Sequence, residues 1–191
     1  MLLSELQKKI TKILAEGGIE TNSLDARIIL REIFNFDEKE LILNSDLILS
    51  ESKISKVQKI ITRRLNYEPV SKIFGKRDFY NSTFSISGDV LDPRPETEHI
   101  VEIANNFILE KGYESFIDLG TGSGCIILSI LKENKNLTAV GVDISIDAIN
   151  IAKKNSKDMN LEKRSSFLVS NWLSLIYSSY DLIISNPPYI P

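Results

Sequence analysis

Apolar residues recur at three- and four-residue intervals through the first third of the chain and gather into short blocks through the last half. In the first third, Leu3, Leu6, Ile10, Ile13 and Leu14 share one stripe, and Gly17-Gly18 end it. Ser23 is placed to cap a second helix, which carries Leu24, Ile28, Leu30 and Ile33 to about Phe34. A third helix, from about Ser52 to Asn66, presents Ile54, Val57, Ile60, Ile61 and Leu65. The result is a small helical bundle. Lys53, Lys56, Lys59, Arg63 and Arg64 fall mostly off the third stripe, and a solvated face is the plain reading of them.

At Tyr67-Glu68-Pro69 the pattern changes. Phe79 to Ile86, followed by Gly88-Asp89, reads as short strands joined by a tight turn. Asp92-Pro93-Arg94-Pro95-Glu96-Thr97-Glu98 leads into a helix capped by Thr97 or Glu96, with Ile100, Val101, Ile103, Ala104, Phe107 and Ile108 as its buried candidates. From Phe116 strand and helix alternate: strands 116–119, 138–143, 166–169 and 181–185, with helices of about 125–133 and 146–155 between the first three. Short apolar strands separated by helices predict an α/β fold, a parallel sheet with helices on both faces. The boundaries expected from these changes are 1–72 for the helical domain, 73–95 for a β-hairpin linker and 96–191 for the sheet domain.

Composition narrows the class. The 191 residues are 42% hydrophobic and 26% charged with a net charge of −3, the balance of a globular chain. Up to Gly75 there are 12 basic and 11 acidic residues, and 11 and 15 after it. Neither half is a polyanion binder by bulk charge, so no direct contact with nucleic acid is expected. The one cysteine, Cys125, excludes an internal disulfide framework and reads as a small buried apolar residue. The N-terminus lacks the order of a signal peptide and no window reads as a membrane span, so a cytoplasmic chain with no membrane contact is expected; a monomer is expected as well.

The candidate chemistry lies at the strand ends. Asp118-Leu119-Gly120-Thr121-Gly122-Ser123-Gly124 is a glycine-rich turn between a buried strand and a helix start, where glycines let a ligand approach the backbone. A dinucleotide fingerprint counted from Gly120 needs a third glycine at 125, which is Cys125. Nicotinamide and flavin are therefore disfavoured; Gly-x-Gly-x-Gly also occurs in adenosyl-cofactor sites. Asp143 ends the next strand, where a carboxylate can accept from both hydroxyls of a ribose, and its other reading is an N-cap that Ser145 or Asp147 can supply instead. Asn171 and Trp172 follow the third strand and suit recognition and flanking of an adenine ring, against the alternative of a core tryptophan. Asn186-Pro187-Pro188-Tyr189 ends the last strand. Two prolines remove two donors there and leave a rigid, carbonyl-lined corner that suits a planar NH2 group.

Asp92 to Glu98, the loop Asp118 to Gly124 and the corner Asn186 to Tyr189 together resemble the protein glutamine N5-methyltransferases that modify peptide chain release factors. The likeness runs over the whole chain, helical domain included. It implies a Rossmann-like methyltransferase sheet, incomplete at its C-terminal side, behind a helical domain that recognises the substrate. It implies S-adenosylmethionine as cofactor, held by Asp118, Gly120, Thr121, Gly122, Ser123, Gly124, Asp143, Asn171, Trp172 and Asn186. It implies class I peptide chain release factors as partners, the glutamine of their Gly-Gly-Gln loop held by Asn186, Pro187, Pro188 and Tyr189, with Asn186, Pro187 and Tyr189 carrying the catalysis. Asp92, Asn81 and Asn171 differ from the family's usual residues; asparagine at 81 tolerates a positive φ. His99, the one histidine, reads as structural. Two alternatives stand beside this reading: a nucleic-acid amino-group methyltransferase, which shares the Asn186 corner, and a truncated remnant without catalysis.

Overall fold

A computed structural model describes residues 1–87 and 93–187, in two compact units, Met1–Phe74 and Gly75–Pro191. The calls on Asp92, Pro188 and Tyr189 and the turn at Gly88-Asp89 lie outside the described residues.

The first unit is helical: α1 (Leu3–Glu16), α2 (Asn22–Phe34), α3 (Glu38–Leu43), α4 (Glu51–Leu65) and α5 (Val70–Phe74). Leu3, Leu6, Ile10 and Leu14 of α1 pack with Ala26, Ile29 and Leu30 of α2 and Val57 and Ile61 of α4. Full burial of one such side chain is worth about 1.5–3 kcal/mol. Two expectations for α2 change. It starts after Thr21, so Ser23 lies inside it, and its buried face is Asp25, Ala26, Ile29 and Leu30, leaving Leu24 exposed. The cause is Asp25, turned inward to accept from Thr21 Oγ1 at 2.9 Å and Arg64 Nε at 2.7 Å. The short α3 and α5 were not expected. α3 is set by a reciprocal cap, in which Asp37 Oδ1 accepts from the Glu40 N–H at 2.7 Å and Glu40 Oε2 from the Asp37 N–H at 2.8 Å.

The second unit opens with an antiparallel hairpin, β1 (Lys76–Phe79) and β2 (Ser82–Ser85). The positive φ of its turn falls on Tyr80 (47°), one residue before the asparagine expected to tolerate it. A single 3-10 turn, Pro95–Thr97, then enters α6 (Glu98–Lys111). Val101, Ala104 and Ile108 of α6 are buried, while Ile103 and Phe107 stay exposed because a 3.6-residue period turns them away from that stripe.

There follow β3 (Ser115–Leu119), α7 (Cys125–Glu133), β4 (Thr138–Asp143), α8 (Ile146–Asp158), β5 (Ser165–Val169) and β6 (Leu182–Ser185). The four strands form a wholly parallel sheet in the order β5-β4-β3-β6. Helices α6 and α7, with Phe79 and Phe84 of the hairpin, pack with Phe116, Ala139 and Ile184. The other face differs from the expectation of helices on both sides: among the described residues Ile117, Leu119 and Val142 pack with Ile176 and Tyr180 of the segment before β6. Asp181 ties the start of β6 to β3, its Oδ2 accepting from the Glu114 and Ser115 N–H groups at 3.0 and 2.9 Å. Because all strands are parallel, their carboxyl ends share one edge, where a doubly wound sheet offers its ligand site.

Candidate functional site

The loop leaving β3 is held open by its glycines. Gly120, Gly122 and Gly124 have φ of 75°, 55° and 78°, a left-handed conformation that costs other residues about 1–2 kcal/mol each. The loop is pinned from several sides. The N–H groups of Gly120 and Thr121 donate to the Val142 carbonyl at 2.8 and 2.9 Å, that of Gly122 to Asp143 Oδ2 at 2.9 Å, and that of Gly124 to the Thr121 carbonyl at 2.9 Å. At Gly120 no atom of the described residues, its chain neighbours aside, lies within 4 Å of the place a Cβ would take, so among them this lip of the loop faces open space.

Beneath the loop Asp118 is fully buried. Thr121 Oγ1 donates to its Oδ2 at 2.7 Å, and its Oδ1 has no hydrogen-bond partner among the described residues. Burial pushes the carboxyl up to about 7; the charge of Asp143 raises it further and the Thr121 bond opposes both. Gly141 lies opposite Asp118 in register. A Cβ there would stand 2.7 Å from Phe167 Cδ1 and 2.9 Å from Thr121 Oγ1, so glycine is what lets Thr121 reach the carboxylate.

Asp143 is half-buried, and it is not the cap of α8. Ser145 is, its Oγ accepting from the Ala148 N–H at 3.3 Å. Asp143 accepts from Gly122 N–H and, at 3.0 Å, from Ser145 N–H, which leaves each oxygen one further lone pair. After β5, Ser170 N–H donates to the Asp143 carbonyl at 3.0 Å. Asn171 is exposed and its carbonyl accepts from Ser174 Oγ at 2.6 Å. Trp172 is 53% exposed with a φ of 52°, so the core-tryptophan alternative falls.

At the end of β6, Asn186 Nδ2 donates to Thr97 Oγ1 at 3.0 Å. Thr97, expected as a helix cap, makes no cap bond; it is buried and meets the corner instead. Next to it Glu98 Oε1 accepts from the Tyr80 N–H at 2.9 Å. Thus the segment before α6 and the corner after β6, far apart in sequence, adjoin. Pro187 is described and exposed.

Other candidates drop out. His99 is on the surface, 3.3 Å from Glu102. Burial drives the Cys125 thiol up to about 12, which makes it no nucleophile at neutral pH. Among the described residues no His, Cys, Asp and Glu group is placed to hold a metal, and no helix is long and apolar enough to cross a membrane. Two residues near the loops escaped the sequence reading, Thr97 in its actual role and Asn155, whose Nδ2 donates to the Ser123 carbonyl at 2.8 Å. An asparagine on the apolar face of α8 is the signal that points to the second.

Comparison with known proteins divides the chain in the same two parts. Residues 5–75 match the PrmC N-terminal domain, and residues 101–190 the methyltransferase small domain. The chain is 37% identical over 175 residues to the release factor glutamine methyltransferase of Rhodospirillum rubrum, covering 92% of this chain and 54% of that protein. It is 34% identical over 192 residues to the release factor glutamine methyltransferase of Bradyrhizobium diazoefficiens, covering 99% and 65%. It is 36% identical over 214 residues to the bifunctional methyltransferase of Rickettsia conorii, covering 99% and 40%. The chain therefore spans 40% to 65% of the length of these relatives.

Proposed function

We propose, from the premise that this chain is a relative of the release factor glutamine methyltransferases, that its sheet edge serves S-adenosylmethionine-dependent methyl transfer to the side-chain nitrogen, N5, of the glutamine in the Gly-Gly-Gln loop of class I peptide chain release factors. The observation that carries this reading is the bond from Asn186 Nδ2 to Thr97 Oγ1. It holds the Asn186 amide at the carboxyl end of β6 beside Thr97, and an amide oxygen is an acceptor suited to an amino group.

The residues fit the cofactor. An adenosyl amino acid carries a cationic ammonium, a ribose diol and a flat ring. Among the described residues Asp118 has a buried oxygen without a partner, Asp143 has spare acceptor capacity, Gly120 leaves an open lip, and Trp172 has a half-exposed ring. Asp118, Gly120, Thr121, Gly122, Ser123, Gly124, Asp143, Asn171 and Trp172 are assigned to hold it. When bound, S-adenosylmethionine supplies a methyl group on a sulfonium, a good leaving group.

An amide nitrogen is a poor nucleophile because its lone pair is delocalised into the carbonyl. Asn186 Oδ1 and the Pro187 carbonyl are assigned to accept its two N–H bonds, which aligns the nitrogen with the methyl and favours the charge that develops on it. The nitrogen held there would take the methyl with a thioether as the leaving group, and its surplus proton would go to water. Pro188 and Tyr189 are assigned to the substrate pocket by sequence alone, and the helical unit to recognition of the release factor.

Calorimetry with S-adenosylhomocysteine, followed by methyl transfer to a release factor offered against bulk RNA and DNA, tests the proposal. Binding and transfer to the glutamine are expected. Methylation of nucleic acid with none on the protein would overturn it.

A further inference from the structure

We infer that Asn155 is a positioning residue that holds the Gly120–Gly124 loop in register with the β1–β2 hairpin. Asn155 lies on the inner face of α8 with Ala148, Ile149 and Ala152, and it is 2% exposed. Asparagine is a poor choice for a helix interior, and a buried amide costs free energy unless its bonds are made. Here they are made. Oδ1 accepts from the Ser85 N–H at 2.8 Å, and Nδ2 donates to the Ser85 carbonyl at 3.0 Å and to the Ser123 carbonyl at 2.8 Å.

The side chain thus pairs with both backbone groups of Ser85, as a neighbouring strand would, and spends its remaining donor on the loop. Gly122 is pinned from β4 by Asp143 and Ser123 from α8 by Asn155, so two successive residues of the loop are fixed by two elements. The hairpin end is itself clamped. Lys154 Nζ donates to Ser85 Oγ at 2.9 Å, and Lys132 Nζ to the Asn81 carbonyl and Ser82 Oγ, both at 2.8 Å. Because Tyr80 bonds Glu98, the neighbour of Thr97, the hairpin braces the segment that meets Asn186 as well. The loop's register belongs to this protein whatever ligand it serves; the effect on cofactor affinity rests on the function proposed above.

Amide hydrogen exchange on the ligand-free protein tests the positioning directly, with Asn155→Leu and Asn155→Asp. In both, the Gly122 and Gly124 amides are expected to exchange about tenfold faster, the scale of one lost buried hydrogen bond, while the ladder amides of β3 and β4 keep their rates. Asn155→Asp retains the acceptor for Ser85 and should keep that amide protected; Asn155→Leu should not. The aspartate variant also serves if the leucine variant fails to fold. Loop amides that do not change, or that speed up only together with the whole sheet, overturn the inference. S-adenosylhomocysteine affinity, by calorimetry, is expected to fall about tenfold in both variants. A loosened loop in the variants beside a wild-type chain that binds no S-adenosylhomocysteine leaves Asn155 in its role and removes the cofactor reading instead.

Discussion

The two units bury polar groups to different ends. In Met1–Phe74 the buried carboxylate is Asp25, and its Oδ2 is met by both Arg64 and Thr21. In Gly75–Pro191 the buried polar residues include Thr97, Asp118, Thr121, Ser123, Asn155 and Ser170, gathered about one edge of the sheet. There Asp118 Oδ1 and Ser170 Oγ have no partner among the described residues. A buried polar group that is closed on itself holds a fold together; one left open costs stability and is the kind of group a ligand completes.

The sharpest test of that division is Asn186→Ala, which should lower methyl transfer to a release-factor glutamine by about a thousandfold while binding of S-adenosylhomocysteine stays measurable by calorimetry. The converse is Arg64→Met. It strands the Asp25 carboxylate in the helical core and should cost about 3 kcal/mol in denaturant unfolding, with cofactor affinity unchanged. A cofactor affinity that falls with it would break the comparison. Thr97→Val removes one bond that holds the Asn186 amide and should lower kcat about tenfold at constant KM, with Thr97→Ser restoring the rate.

Asp118 gives a pH signature. Its folded carboxyl sits near 7, above the ordinary carboxylate value of 3.8, so the folded protein keeps a proton that the unfolded chain releases. Stability should therefore fall as pH rises from about 4 to about 7 and then level off, and Asp118→Asn should flatten that stretch of the melting curve. At the small end, Arg63 and Glu68 form an exposed pair on the helical unit, and Arg63→Ala should leave the melting temperature unchanged.

Legibility followed periodicity. The α1 stripe and the alternation from Phe116 onward were plain because a buried face repeats at fixed spacing, and the fold class and the parallel sheet came with them. α3 and α5 were missed because six and five residues are too few for a stripe. The hairpin was expected, but its first strand was read from Phe79 because Lys76, Arg77 and Asp78 before it are polar and only Phe79 is buried. On α2 one inward aspartate rotated the face away from Leu24, an effect set by Arg64, 39 residues away. The site shows the same limit. The loop glycines and Asp143 announce themselves locally, whereas the bonds of Thr97 and Asn155 join segments 32 to 89 residues apart, which no local pattern records.

Trp172 is the one tryptophan of the chain, and it stands half exposed at the end of β5, beside the loops assigned to the cofactor. Its indole emission therefore reports on that edge alone, without an extrinsic dye. A ring covered by an entering ligand should shift to the blue or be quenched, and titrating that change would read occupancy of the sheet unit while the tryptophan-free helical unit stays dark.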